Sequence, residues 1–230
     1  MQIYGTRLEG AIPALSWQDL CNLIPAYRYE NIRALRFRQD QERSLLAGLL
    51  LRQIIIDNVG TEPVHFEFNP FGKPSLVGCS SFHFNLSHAG NWIVCAIDHQ
   101  PIGVDVEKME VVACASLARV AFSLEEQQLL QGKSGAVQLD YFYAVWTMKE
   151  SYCKAVGQGL SMSPEKVTIR IDDQGWGSIA PPEKTRWRLR QYPVEPGYKL
   201  AVCASHEAFP EDVTLIDWRQ LTGDQDSDPS

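Results

Sequence analysis

Val64-His-Phe-Glu-Phe-Asn-Pro-Phe-Gly72 and Val167-Thr-Ile-Arg-Ile-Asp-Asp-Gln-Gly175 share one pattern: apolar and polar residues alternate, then a glycine turn follows. Such period-two alternation marks a strand with one buried face. Further along, Trp92-Ile-Val-Cys-Ala-Ile97 is echoed by Leu200-Ala-Val-Cys-Ala-Ser205, and each half carries an apolar-rich helical stretch, Arg43 to Ile56 and Leu139 to Ala155. The order helix, strand, glycine turn, strand therefore occurs twice. It predicts an α+β protein built of two pseudo-symmetric α+β halves, residues 1–102 and 103–221, with a polar tail at 222–230 expected to be disordered. Strands are expected near 2–8, 64–68, 82–86, 91–98, 102–107, 167–171, 186–193, 198–205 and 213–217. Helices are expected near 17–23, 29–36, 40–57, 115–121, 123–131 and 138–156.

The chain has 230 residues, 45% hydrophobic and 21% charged, ordinary for a globular protein with a sizeable core. Its longest apolar-rich segment, Leu45 to Ile56, is broken by Arg52 and Gln53, too short for a bilayer span. The start Met1-Gln2-Ile3-Tyr4-Gly5 lacks the basic residues and apolar core of a secretory signal, so a cytoplasmic location is expected and no membrane partner. Six cysteines form no CxxC pair, which argues against zinc. A net charge of −7 argues against nucleic acid as a general partner.

In Ile102-Gly-Val-Asp-Val-Glu-Lys108, alternation puts Asp105 and Glu107 on one strand face and Val104 and Val106 on the other. Two adjacent carboxylates repel unless water or a cation lies between them, so the pair reads either as an exposed face or as a magnesium site. Within Leu139 to Ala155, Trp146, Glu150 and Lys154 follow one another at four-residue spacing and share a face. A surface Glu–Lys pair satisfies that spacing too. Placing both charges beside a tryptophan on so apolar a helix favours a partly buried site, and carboxylates with a lysine suit pyrophosphate chemistry.

No GxxxxGK[ST] or GxGxxG cradle is present, so a phosphate ligand would be gripped by side chains such as Arg28, Arg43, Lys73 and His88. His88, beside Ser87 and before Ala89-Gly90, is better placed than His83 to meet one. Lys73 lies in the turn Phe68-Asn-Pro-Phe-Gly-Lys-Pro-Ser75, where a lysine is usually just solvated.

Together these segments resemble the 4′-phosphopantetheinyl transferases of the long, surfactin-synthetase-activating type. The resemblance rests on Gly72-Lys-Pro74, Phe84-Asn-Leu-Ser-His88, Gly103-Val-Asp-Val-Glu107, Phe122-Ser-xx-Glu126, Trp146-Thr-Met-Lys-Glu-Ser-Tyr-Cys-Lys154, Gly157-Gln-Gly-Leu160 and Pro196-Gly-Tyr-Lys-Leu-Ala-Val-Cys-Ala204. It implies two similar halves in one monomer with coenzyme A in the cleft between them. The implied reaction moves phosphopantetheine from coenzyme A to a serine of an apo acyl- or peptidyl-carrier protein, releasing adenosine 3′,5′-bisphosphate. By resemblance Asp105, Glu107 and Glu150 hold magnesium, or manganese, and Lys154 contacts the same phosphates. Ser87, His88, Arg43 and Ser44 match phosphate contacts, Arg28 stands where lysine is frequent, and Lys73 matches a position beside the adenine. Asn31 replaces a second lysine.

Because the carrier supplies the nucleophilic serine, no GxSxG or Cys/His arrangement is required, and none is found. Glu150 is the expected base. Part of the apolar stretch Met109 to Phe122 is expected to form a carrier-binding patch. The rival readings are a magnesium-dependent nuclease, disfavoured by the acidic balance, and a non-catalytic coenzyme A-binding module.

Overall fold

The computed structural model describes residues 1–12, 17–60, 65–180 and 186–223. The first half comprises β1 (Gln2–Arg7), α1 (Trp17–Asn22), α2 (Ala26–Ala34), α3 (Arg38–Val59), β2 (Phe66–Phe68), β3 (Pro74–Leu76), β4 (His83–Ala89) and β5 (Trp92–Asp98). The second repeats that order: β6 (Ile102–Lys108), α4 (Cys114–Ala121), α5 (Leu124–Gln131), α6 (Gly135–Val156), β7 (Thr168–Ile171), β8 (Trp176–Ala180), β9 (Arg188–Tyr192) and β10 (Tyr198–Ala204). In each half the first strand pairs antiparallel with the last, which pairs antiparallel with the one before it. Both long helices end at a left-handed glycine, Gly60 and Gly157, as a C-terminal stop requires. The duplication predicted from the repeated segments is present in the topology.

Alternation then sorts the layers. On β5, Ile93, Cys95 and Ile97 pack with Leu45, Leu46, Leu50 and Ile54 of α3, while Val94 and Ala96 join Val104, Val106, Leu200 and Val202 of the second sheet. On β10, Ala201 and Cys203 face Met148 and Ala155 of α6. The result is helix, sheet, sheet, helix. β5 is consequently buried along its whole length.

The two sheets are not simple copies. β7 and β8 extend the second sheet, in the order β6-β10-β9-β8-β7, whereas β2 and β3 form a separate ribbon. After β10 the chain returns to the first sheet, where β11 (Thr214–Leu215) pairs parallel with β1, and Trp218 of α7 (Trp218–Thr222) enters the core around α3.

The expected elements are found with shifted ends, α2 starting at 26 and α6 at 135. Two strands, β3 and β8, follow turns where no strand was expected. Pro74 tolerates the first position of a two-stranded ribbon because its missing donor costs no central ladder bond. Gly177 weakens β8's propensity, but a Cβ there would stand 2.6 Å from Met148 Sδ, so glycine is what lets α6 pack close. Val64 and residues 224–230 lie outside the described residues.

Candidate active site

β6 presents Ile102, Val104 and Val106 to the first sheet, so Gly103, Asp105 and Glu107 take the opposite pleat, toward α6. Gly103 makes the approach possible: a Cβ there would lie 2.0 Å from the Ser151 carbonyl oxygen. Trp146 and Lys154, two turns apart on the facing side of α6, reach the two acids. The Lys154 ammonium stands 2.7 Å from Asp105 Oδ1 and donates to Ser87 Oγ at 3.0 Å. Trp146 Nε1–H donates to Glu107 at 3.1 Å. Ser87 Oγ–H donates to Asp105 Oδ1 at 3.0 Å. The surface reading of the acid pair is set aside by this enclosure, since Asp105 is 3% exposed.

Electrostatics show what the cluster lacks. Burial pushes Asp105 above the ordinary carboxylate range despite Lys154 and Ser87. Burial and the charge of Asp105 push Glu107 up to about 7, against the opposing Trp146 bond and Lys154. Glu150 is raised for the same two reasons, with Lys154 opposing. Asp105 Oδ2 is buried and without a hydrogen-bond partner. Three mutually repelling acids with an orphaned carboxylate oxygen fit a hard divalent cation. Among the described residues, however, no three acidic, histidine or cysteine side chains are already gathered as a ready cage.

Alternate residues of β4 face different halves of the molecule. Ser87 pairs in register with Val94 and so faces the second half, where Asn85 of the same pleat accepts the Val104 N–H at 2.8 Å. His88 takes the other pleat, and its charged neighbours are Arg43, Arg28 and Lys154. Part of His88 reaches solvent, yet packing around its ring comes first in lowering its pKa, followed by those three cations. Arg43 donates to Gly90 O at 2.9 Å and pairs with Asp40. Arg28 donates weakly to Ser44 O at 3.4 Å, while its Nε is buried without a partner. Ser44 thus meets Arg28 through its backbone. Cations so placed, one with an unused donor, suit a polyanionic ligand.

A cavity of about 460 Å³ opens beside Glu150, lined by Phe71, Gly72, Lys73, Asn85, Glu150 and Lys154 among others. Lys73 is not the solvated turn lysine that its surroundings in the sequence suggested. Its stem lines the cavity, but its ammonium donates to Ile102 O at 3.0 Å, Lys154 O at 2.6 Å and Ala155 O at 3.3 Å. All three donors are committed to carbonyls rather than offered to a ligand.

Sequence reasoning gave no role to Trp146 toward Glu107, to Asn85, or to Lys149. Trp146 could have been found from its four-residue spacing with Glu150. Lys149 is fully enclosed: it pairs with buried Glu126 at 2.8 Å and donates to Pro164 O at 2.8 Å and to Val167 O. Glu126 also accepts the Ser123 and Ile169 amides at 2.6 and 2.7 Å. The pair ties the capping box of α5 to the wall that follows α6.

Two family models match the chain: the 4′-phosphopantetheinyl transferase superfamily over residues 101–203, and the 4′-phosphopantetheinyl transferase N-terminal region over residues 13–100. The chain is 35% identical over 224 residues to 4′-phosphopantetheinyl transferase Sfp of Bacillus subtilis (strain 168), covering 96% of this chain and 100% of that one. It is 36% identical over the same span to 4′-phosphopantetheinyl transferase ffp of Bacillus subtilis. With 4′-phosphopantetheinyl transferase gsp of Aneurinibacillus migulanus it shares 38% identity over 181 residues, 77% of this chain and 72% of that one.

Proposed function

The chain belongs to the 4′-phosphopantetheinyl transferases, and we propose that it moves the phosphopantetheine arm of coenzyme A to a serine of an apo carrier protein. The observation that carries this reading is an acid cluster and a cationic group that meet at Lys154, which is bonded to Asp105 and is a charged neighbour of His88. Asp105, Glu107 and Glu150 make up the acid cluster, with Asp105 Oδ2 unpartnered, and Arg28 and Arg43 surround His88. A ligand with a pyrophosphate and a further phosphate satisfies both.

Asp105, Glu107 and Glu150 are the residues proposed to hold magnesium, or manganese. The ion's contribution when bound is to neutralise charge on the pyrophosphate oxygens. Lys154 adds a fixed positive charge at the same place, and Ser87 keeps that ammonium oriented. Arg28, Arg43, His88 and the Ser44 region would bind the remaining phosphate, orienting coenzyme A so that the carrier serine attacks in line. Glu150 is the proposed base for the serine proton, since it lines the open cavity beside Lys154. A nuclease reading has no support in the net charge of −7.

Carrier docking is assigned to the segment after β6, where Val111 is 95% and Val120 70% exposed. The protein is proposed to act as a monomer in the cytoplasm. Among the described residues no helix is long and apolar enough to cross a membrane.

The test is incubation of apo carriers of fatty-acid, polyketide and nonribosomal-peptide type with coenzyme A, magnesium and this protein. A mass gain of one phosphopantetheine on at least one carrier is expected. No gain on any of them overturns the reading.

A further inference from the structure

We propose that Lys73 and Asn69 are positioning residues that cap α6 from the other half of the molecule, and so set where Lys154 and Glu150 stand. The last carbonyls of any helix lack intrahelical partners and carry the negative end of its dipole. At the end of α6 those of Lys154 and Ala155 accept from the Lys73 ammonium, and that of Gly157 accepts from Asn69 Nδ2 at 2.8 Å. The third Lys73 bond, to Ile102 O, joins the same ammonium to the start of β6. One side chain of the first half therefore grips both elements that carry the acids.

The turn is built to hold this grip. Asn69 Oδ1 accepts the amides of Phe71 and Lys73, both at 2.9 Å, and Gly72 supplies the positive φ of 86° that the turn needs. Gly157 completes the fit: a Cβ there would meet Lys73 Cδ at 3.0 Å and Asn69 Nδ2 at 3.4 Å. The carbonyl of Lys154 is held by Lys73 while its ammonium is held by Asp105 and Ser87, so the residue is fixed at both ends. The solvated reading of a turn lysine does not describe a side chain with every donor engaged by backbone. The inference deepens the transfer reading by giving Lys73 a role without ligand contact.

Lys73→Met and Asn69→Ala test it, by amide hydrogen exchange of the ligand-free protein together with steady-state kinetics. Both variants are expected to speed exchange in the last turn of α6, residues 152–157, at least tenfold. Both should lower kcat severalfold while KM for coenzyme A moves less than twofold. A variant with unchanged exchange at α6 and a KM raised only by Lys73→Met makes Lys73 a ligand contact and overturns the proposal. Should Lys73→Met fail to fold, Asn69→Ala decides alone, since unchanged exchange there also overturns it. Exchange needs no substrate, so this result stands apart from whether the carrier is modified.

Discussion

Lys154 Nζ and Asp105 Oδ1 lie 2.7 Å apart across the meeting of α6 and β6, leaving the second Asp105 oxygen enclosed and unpartnered. The lysine thus satisfies half of the carboxylate and leaves the other half for something positive. Asp105→Asn keeps the shape and removes the charge. It is expected to lower transfer about 100-fold or more, the scale of losing a preorganised electrostatic contact. Calorimetric titration with magnesium should lose its binding heat in the variant while far-ultraviolet dichroism stays the same.

Glu150 has a different expected signature. Glu150→Gln should reduce kcat by about 10²–10⁴, the range of general acid–base catalysis, with coenzyme A affinity kept. Turnover at the wild-type rate with normal coenzyme A binding rules out the base role.

The Glu126–Lys149 pair is buried at both ends, so removing one partner strands the other. Glu126→Gln is expected to cost about 3–5 kcal/mol in urea unfolding. Replacing both by apolar residues of similar volume should recover much of that loss. A single variant as stable as wild type contradicts the enclosure.

Asp98 sets an acid limit. Burial alone would raise its pKa, but hydrogen bonds from His206 at 2.8 Å and the Gln100 amide at 3.0 Å, with the Met1 ammonium at 3.5 Å, bring it below its ordinary value. The unfolded chain then binds this proton at higher pH than the folded protein does. Asp98 therefore contributes stability that is present above about pH 4 and is lost as pH falls through the folded-state value. Urea midpoints measured from pH 6 to 3 should fall more steeply for wild type than for Asp98→Asn.

Charge placed on the segment after β6 should separate the two substrates. Val111→Glu and Leu117→Glu, at side chains 95% and 40% exposed, are expected to raise KM for the carrier about tenfold or more. KM for coenzyme A should not change. Unaltered carrier KM in both variants removes the patch.

What the sequence showed and what it hid divide along one line. Period-two alternation predicted that Asp105 and Glu107 share a face, and helical spacing predicted the same of Trp146, Glu150 and Lys154; both follow from local geometry. That the two faces meet depends on Gly103, whose missing side chain admits α6, and nothing local announces such a contact. Lys149 sits next to Glu150 in sequence but is turned about a quarter of the way round the helix, into a buried pair whose partner is on α5. Lys73 was readable as a turn residue, not as a cap on a helix about eighty positions later. β8 was hidden because Gly177 answers to Met148 rather than to strand propensity.

The pairing of β11 with β1 joins segments separated by almost the whole chain, Tyr4 with Thr214. On a ribosome, the first half emerges complete in helices but short of one edge strand and of the Trp218 side chain that its core encloses. Its final packing therefore needs residues that follow the second half, and closing a loop of that length carries an entropic cost. Two halves that look like a duplicated unit are thus interdependent, fastened by a segment that follows both.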